Sequence, residues 1–367
     1  MIKLEQSLAI IFLLCTTVCG QPDVGDHSEL CPGARGHLTI VLPEQRESSR
    51  QRSTARLALV QTTELSPVKV FILAGQSNMQ GKGAAKTLPW LGEDKAYGHL
   101  LKTIQNEDGT WRKRDDVWID YLGRRGPLDV GFGSEGSEHG PLIGPEYGFG
   151  MVAGDHFDEP VLLIKAAWGG KDVAEDFKAP GSGGPGPFYV KTVEHVKDVL
   201  KNMGTYFPDL DGRSYEIAGI VWFQGWNDMV DEEKRQAYTA NLAQMLRDLR
   251  RDLNAPNAPV VIGELGVDGD KAKGNIAEFR NAQAAVAEVP DLKGNVILTR
   301  TAPYYDQHAH QLFEDNVWQG PEKQKYYEIA SDRPYHYLGS GKIYFLMGHA
   351  FGKDMLQLQT KGNDIAQ

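Results

Sequence analysis

Five short apolar runs recur from Pro67 onward: Val68 to Leu73, Val161 to Ala167, Ile217 to Phe223, Val260 to Gly263 and Val296 to Thr299. Each is followed by loop residues. Continuous apolar runs of this length mark strands covered on both faces, as in parallel sheets. Between several of them the spacing changes to that of helices. Val190, Val193, Val196, Leu200 and Met203 share one helical face, and so do Tyr238, Leu242, Met245, Leu246, Leu249 and Leu253. Ile276 to Val286 and Lys342 to Met355 predict two more helices. Strand and helix in alternation imply parallel pairing through right-handed crossovers, hence a three-layer α/β sandwich. Residues 80–145 and 178–189 carry little periodic pattern and are expected to be long loops over one rim.

The start of the chain follows a different pattern. Met1-Ile2-Lys3, the apolar run Leu8 to Val18 and then Cys19-Gly20 describe a cleaved secretory signal over residues 1–20, too short for a stable membrane span. A secreted or periplasmic product is expected. A lipoprotein signal ending at Cys15 or Cys19 is the weaker alternative, because neither cysteine follows a small residue. Cleavage would leave Cys31 alone in Cys31-Pro32-Gly33, so no internal disulfide is expected. Residues 21–66 are polar and broken around Glu44 to Arg52 and read as a flexible extension, with His37 to Leu42 a weak strand candidate. The domain proper is expected over 67–356, with a tail over 357–367. Glycine makes up 41 of the 367 residues, about 11% against about 7% in ordinary chains, which fits a loop-rich α/β protein. The formal net charge of −10 sets nucleic acid aside as a partner, since that binding needs a basic face. Nothing in the pattern bears on oligomeric state.

The first apolar run passes directly into Gly75-Gln76-Ser77-Asn78-Met79, a small-polar turn with a serine at its apex. In open α/β sheets, ligands bind beyond the carboxyl ends of the strands, which is where Ser77 would stand. After the second run comes Trp168-Gly169-Gly170-Lys171, whose glycines allow backbone N–H groups close to a substrate. After the third comes Trp222-Phe223-Gln224-Gly225-Trp226-Asn227-Asp228. Gln224 and Asn227 carry amide donors suited to an oxyanion, although Asn227 or Asp228 would serve equally as a helix N-cap. Near the end, Ser331 to Ser340 contains His336 between Tyr335 and Tyr337, a candidate general base on a loop.

Taken in order, these four blocks resemble the sialate O-acetylesterase domain, grouped with the family 6 carbohydrate esterases among the SGNH hydrolases. The resemblance spans roughly residues 67 to 356. It implies a flavodoxin-like α/β/α sandwich with a five-stranded parallel sheet, no cofactor and acetylated carbohydrate as substrate. By residue it implies Ser77 as nucleophile, with its own N–H, the N–H of Gly169 or Gly170, and an amide of Gln224 or Asn227 forming the oxyanion hole. His336 takes the base role. Two carboxylates compete to orient it: Asp332, four residues before the histidine where the superfamily usually has three, and Glu264 at the end of the fourth strand. Gln76, Asn78, Trp168, Trp226 and Tyr335 are the substrate-contact candidates.

Asp306-Gln307-His308-Ala309-His310 raises a metal reading, because His-x-His on a strand points both imidazoles one way. With no second cluster of ligand spacing, a loop near the substrate mouth is preferred and no metal is expected. Two other classes remain to be weighed. One is a carbohydrate-binding protein on an inactive esterase scaffold, stacking sugars on Trp168, Trp222, Trp226, Tyr335 and Tyr337. The other is a lipase or phosphoesterase, against which stand the absence of an apolar lid, a Gly-x-Ser-x-Gly elbow and a phosphate loop.

Overall fold

The computed structural model describes residues 65–365. The expected signal, nearly all of the extension, the His37 to Leu42 strand candidate and all three cysteines lie outside the described residues. Strands β1 (Val68–Gly75), β2 (Gly83–Ala84), β3 (Val117–Tyr121), β4 (Arg124–Pro127), β5 (Leu142–Ile143), β6 (Val161–Ala167), β7 (Tyr215–Phe223), β8 (Val260–Gly263) and β9 (Val296–Thr299) follow in chain order. Seven of them form one sheet in the order β4-β3-β6-β1-β7-β8-β9, parallel throughout except for the hairpin partner β4. β2 and β5 pair separately as a short antiparallel ribbon.

The five apolar runs are β1, β6, β7, β8 and β9, and they lie side by side as β6-β1-β7-β8-β9. Numbered by appearance this is the 2-1-3-4-5 order of flavodoxin-like folds. The sheet nevertheless has two strands more than expected. β3 and β4 fall inside the region read as rim loop, because Asp120 interrupts the apolar run of β3 and β4 carries Arg124, Arg125 and Pro127. Charges and proline are usual on an edge strand. Asp120 is fully buried there because Arg125 Nε lies 2.8 Å away and the Gly123 N–H donates to it.

Five longer helices cover the sheet: α1 (Pro145–His156), α2 (Pro187–Lys201), α3 (Glu232–Asp252), α4 (Asn275–Val286) and α5 (Gly341–Ile365). Alternation along the strands assigns them to layers. On β7, Gly219 and Phe223 face Met355 and Phe351 of α5, whereas Trp222 between them meets Tyr238 of α3. On β3, Val117 faces α1 and Asp120 faces His195 of α2. Thus α1 and α5 lie on one face and α2 and α3 on the other, with α4 stacked on α3 through Phe279 and Tyr238. α5 runs on to Ile365, through the segment expected to be a tail.

α1 was not legible as a helix, since it is buried around most of its circumference and carries three glycines, so no amphipathic period shows. Its glycines let it lie directly on α5. A Cβ at Gly148 would stand 2.1 Å from the Phe345 carbonyl oxygen, and one at Gly348 would stand 1.9 Å from that of Pro145. Among the described residues no helix is long and apolar enough to cross a membrane.

Candidate active site

The strand order reverses between β1 and β7, and the crevice beyond the carboxyl ends at such a point is where open α/β sheets bind ligands. Ser77 stands there. It opens a one-turn helix, Ser77–Gln80, immediately after β1. Gly75 makes this entry possible: its φ is +153°, and a Cβ would lie 2.0 Å from the Phe223 carbonyl oxygen. Ser77 is 9% exposed, and its N–H belongs to the first helical turn, where donors have no partner within the helix. The loop after β6 comes up beside it. A Cβ at Gly169 would be 3.8 Å from that of Ser77, while Gly170, at φ +69°, sits one step further out with open space around it.

The amides at the end of β7 are distinguished by the network they join. The Gly225 N–H donates to Gln76 Oε1 at 3.0 Å, which fixes that atom as the acceptor and the other end of Gln76 as the donor. Gln76 Nε2 then donates to Asn227 Oδ1 at 3.1 Å, so the Asn227 Nδ2 group is left facing away from this contact. Gln224 differs. Its Nε2 already donates to the Lys171 carbonyl, Gln76 Oε1 and Asp228, and the residue is buried. Neither Asn227 nor Asp228 is an N-cap: Gly225 precedes the short helix Trp226–Met229, and Asp231 caps α3. Asp228 instead accepts from the Val173 N–H with both oxygens at 3.1 Å, binding the loop after β6 to the end of β7. Burial pushes its carboxyl up to about 7, against the hydrogen bonds from Gln224 and Val173.

The histidine loop folds back tightly. The Ser331 and Asp332 N–H groups both donate to the Leu338 carbonyl, and Tyr337 and Leu338 sit at φ 49° and 60°. Non-glycine residues in this region are uncommon and mark a constrained turn. Within it a short 3-10 segment beginning at Pro334 lays His336 over Asp332, Nδ1 to Oδ2, at 2.9 Å. Burial acts to raise the Asp332 carboxyl, but the bond and charge of His336, the Arg333 N–H and Lys82 together hold it below the ordinary carboxylate value. The loop is tied to the serine turn. Asn78 Nδ2 donates to the Tyr335 carbonyl at 3.2 Å, and the Tyr344 hydroxyl lies 2.7 Å from Asn78 Oδ1 and 3.3 Å from the His336 carbonyl.

Glu264 stands elsewhere. Its carboxylate accepts from the Thr301 and Ala302 N–H groups at 3.1 and 3.0 Å, joining the ends of β8 and β9, and makes no hydrogen bond to His336 among the described residues. Gln76 and Asn78, expected to touch substrate, are buried and use their amides inside the protein. Trp226 and Tyr335 do reach the surface, with rings 5.6 Å apart beside His336, and Trp168 is half-buried against Phe188. Trp222 and Tyr337 are core residues. The His-x-His segment is neither strand nor loop. Asp306 caps the helix Gln307–Glu314, so His308 and His310 point in different directions, and His310 lies against Glu314 and Asp268. A groove of about 880 Å³ lies at the opposite, amino end of the strands around Lys69, Tyr215 and Ala258.

A family model described as carbohydrate esterase, sialic acid-specific acetylesterase, matches residues 67–322, and the chain belongs to this family. Asp332 and His336 lie beyond the matched segment. An Arabidopsis thaliana protein described as a probable carbohydrate esterase is 25% identical over 235 residues, covering 60% of this chain and 75% of the relative. The crystal structure of an Arabidopsis thaliana protein superposes with a TM-score of 0.51 at 17% identity, covering 80% of this chain and 99% of that one, a likeness of fold. The family gives the chain a carbohydrate esterase role.

Proposed function

We propose that the protein is a secreted serine esterase that removes acetyl groups from a carbohydrate, with Ser77 as nucleophile, His336 as general base and Asp332 orienting the imidazole. The observation that carries this reading is the bridge from Asn78 and Tyr344 to the histidine loop, which ties the Asp332–His336 pair to the turn that begins at Ser77. Because Asp332 is ionised and can only accept, it keeps the proton on Nδ1 and leaves Nε2 as the base. Ser77 Oγ attacks the acetyl carbonyl as its proton passes to Nε2. The tetrahedral intermediate then expels the sugar oxygen, which takes that proton. Water, deprotonated by the same nitrogen, hydrolyses the acetyl-enzyme to acetate and frees Ser77. The N–H groups of Ser77 and Gly169 and the Asn227 amide receive the oxyanion, and Trp226 and Tyr335 offer faces to the sugar ring. Secretion rests on the signal pattern of residues 1–20.

Acetate release from acetylated sialic acid and acetylated xylan tests the reading. Sugar binding without any release would make the protein a binding module instead. The amide assignment predicts that Asn227→Ala lowers kcat by about 10²–10³, with the stability cost of one hydrogen bond, that from Gln76. Gln224→Ala, by contrast, should lower the melting temperature, since it removes the donor of three internal bonds. Equal catalytic losses without destabilisation in both variants would undo the distinction. Chelation by EDTA should leave turnover unchanged, because the proposed steps use only side chains and backbone donors. Activity lost to the chelator and restored by zinc would instead assign a metal-assisted hydrolysis.

A further inference from the structure

Lys165, near the end of β6, is fully buried with Glu146 of α1 and makes three hydrogen bonds from its Nζ. It donates to Glu146 Oε2 at 2.7 Å, to the Gln80 carbonyl at 2.8 Å and to the Phe132 carbonyl at 2.8 Å. Gln80 is the last residue of the turn that Ser77 begins, and the closing carbonyls of a helix lack partners inside it. The other carboxylate oxygen of Glu146 accepts from the Gly144 N–H at 2.7 Å. Gly144 in turn lies directly against the nucleophile turn, since a Cβ at Gly81 would be 2.2 Å from its Cα. The rim loop is held from the same side, as the Ser134 N–H donates to the Gly81 carbonyl at 2.9 Å. Tyr121 completes the surroundings: its ring lies 4.5 Å from Lys165 Nζ, and its hydroxyl accepts from Gln80 Nε2 and donates to the Ala167 carbonyl.

We infer that the Lys165–Glu146 pair is a positioning element for the reaction, fixing the turn that carries Ser77 against the rim loop at 131–134 and the Gly144 segment. The inference rests on Ser77 being the nucleophile. A strand covered on both faces does not need an ion pair for stability, because well-packed apolar groups of similar volume serve as well or better. What the ammonium supplies is direction: three protons and three acceptors on three segments that must meet within a fraction of an ångström for the serine to be presented correctly.

The groups facing Lys165 are Glu146 from α1, Tyr121 from β3 and Arg124 from β4. Burial pushes Lys165 down to about 8, with Glu146 opposing and Arg124 adding to the shift. The protonated form makes all three bonds, so the positioned state is complete below that pH and is lost as pH rises through it.

The test uses the double variant Lys165→Met/Glu146→Met, which leaves no unpaired buried charge, and the single variant Glu146→Gln, which carries the test should the double variant not fold. The double variant is expected to lower kcat by about tenfold or more with KM within about threefold, and to lack the alkaline fall of kcat near pH 8. In Glu146→Gln the alkaline midpoint should move to lower pH, because the charge that raises Lys165 is gone. A double variant with near-normal kcat, or Glu146→Gln with an unchanged pH profile, would make the pair merely structural. Ser77→Ala is run alongside. Turnover retained there overturns the nucleophile reading and this inference with it, whereas an inactive Ser77→Ala beside normal pair variants sinks the inference alone.

Discussion

Ser77→Ala is expected to lower acetate release by roughly three orders of magnitude or more while leaving the melting temperature nearly unchanged. The size of the effect follows from the kind of group removed. Without the hydroxyl no acetyl-enzyme forms, and what remains is water attacking an acetyl group held by the oxyanion donors and the sugar contacts. Stability should hardly move, because the substitution deletes one oxygen from a side chain at the solvent edge of the crevice. The measurement is kcat on an acetylated sugar, with a thermal melt on the same preparation. Near-normal turnover would sink the serine mechanism, and a large drop in melting temperature would mean that Ser77 holds the turn rather than works from it.

The parts of the fold legible in the sequence are those whose burial is uniform. β1, β6, β7, β8 and β9 are apolar along most of their length, with Lys165 the one charge buried in β6, and α2, α3 and α4 each bury one stripe, so their periods stand out. β3 was hidden by Asp120, whose charge is matched by an arginine on the next strand and approached by His195 on a helix far along the chain. Such compensation across the fold leaves no local signature. α1 was hidden because close helix contact through glycine removes the polar face that periodicity needs. The helix at 307–314 was different, since Asp306 is an N-cap residue placed just before it and was available to be read.

In the site, the place of Ser77 at the carboxyl end of β1 was legible because a parallel strand running into a small-polar turn has a defined place in the architecture. The amides were not separable, because glutamine and asparagine offer the same NH2 group. What distinguishes Asn227 from Gln224 is the network each joins: the Gly225 N–H fixes the orientation of Gln76 beside Asn227, and Gln224 Nε2 is held by the Lys171 carbonyl and Asp228. Nor does sequence reveal that Tyr337 and Leu338 adopt left-handed backbone conformations and close the loop around the histidine. Without that turn, the four-residue spacing of Asp332 and His336 looked unfavourable.

Asp332→Asn should lower kcat by about 10²–10⁴ with KM changed by less than about threefold, whereas Glu264→Gln should leave kcat within about threefold. The geometry separates the two carboxylates. Asp332 Oδ2 lies 2.9 Å from His336 Nδ1, and the hydrogen bonds and charges that oppose its burial keep it ionised into the acid range. An asparagine can turn its NH2 toward Nδ1, which moves the imidazole proton to Nε2 and leaves no base for the serine. The loss would fall on the transition state, where the imidazolium forms, and not on substrate binding. Glu264 instead accepts from two backbone N–H groups through one oxygen, Oε2, so glutamine there can keep both bonds with its carbonyl oxygen and should move the melting temperature little. Measuring kcat, KM and thermal unfolding for both variants distinguishes the roles. A crippled Glu264→Gln beside a nearly normal Asp332→Asn would transfer the orienting role to Glu264 and leave Asp332 as a residue that shapes its loop. If neither substitution mattered, His336 would work without a carboxylate behind it, as one half of a serine–histidine dyad.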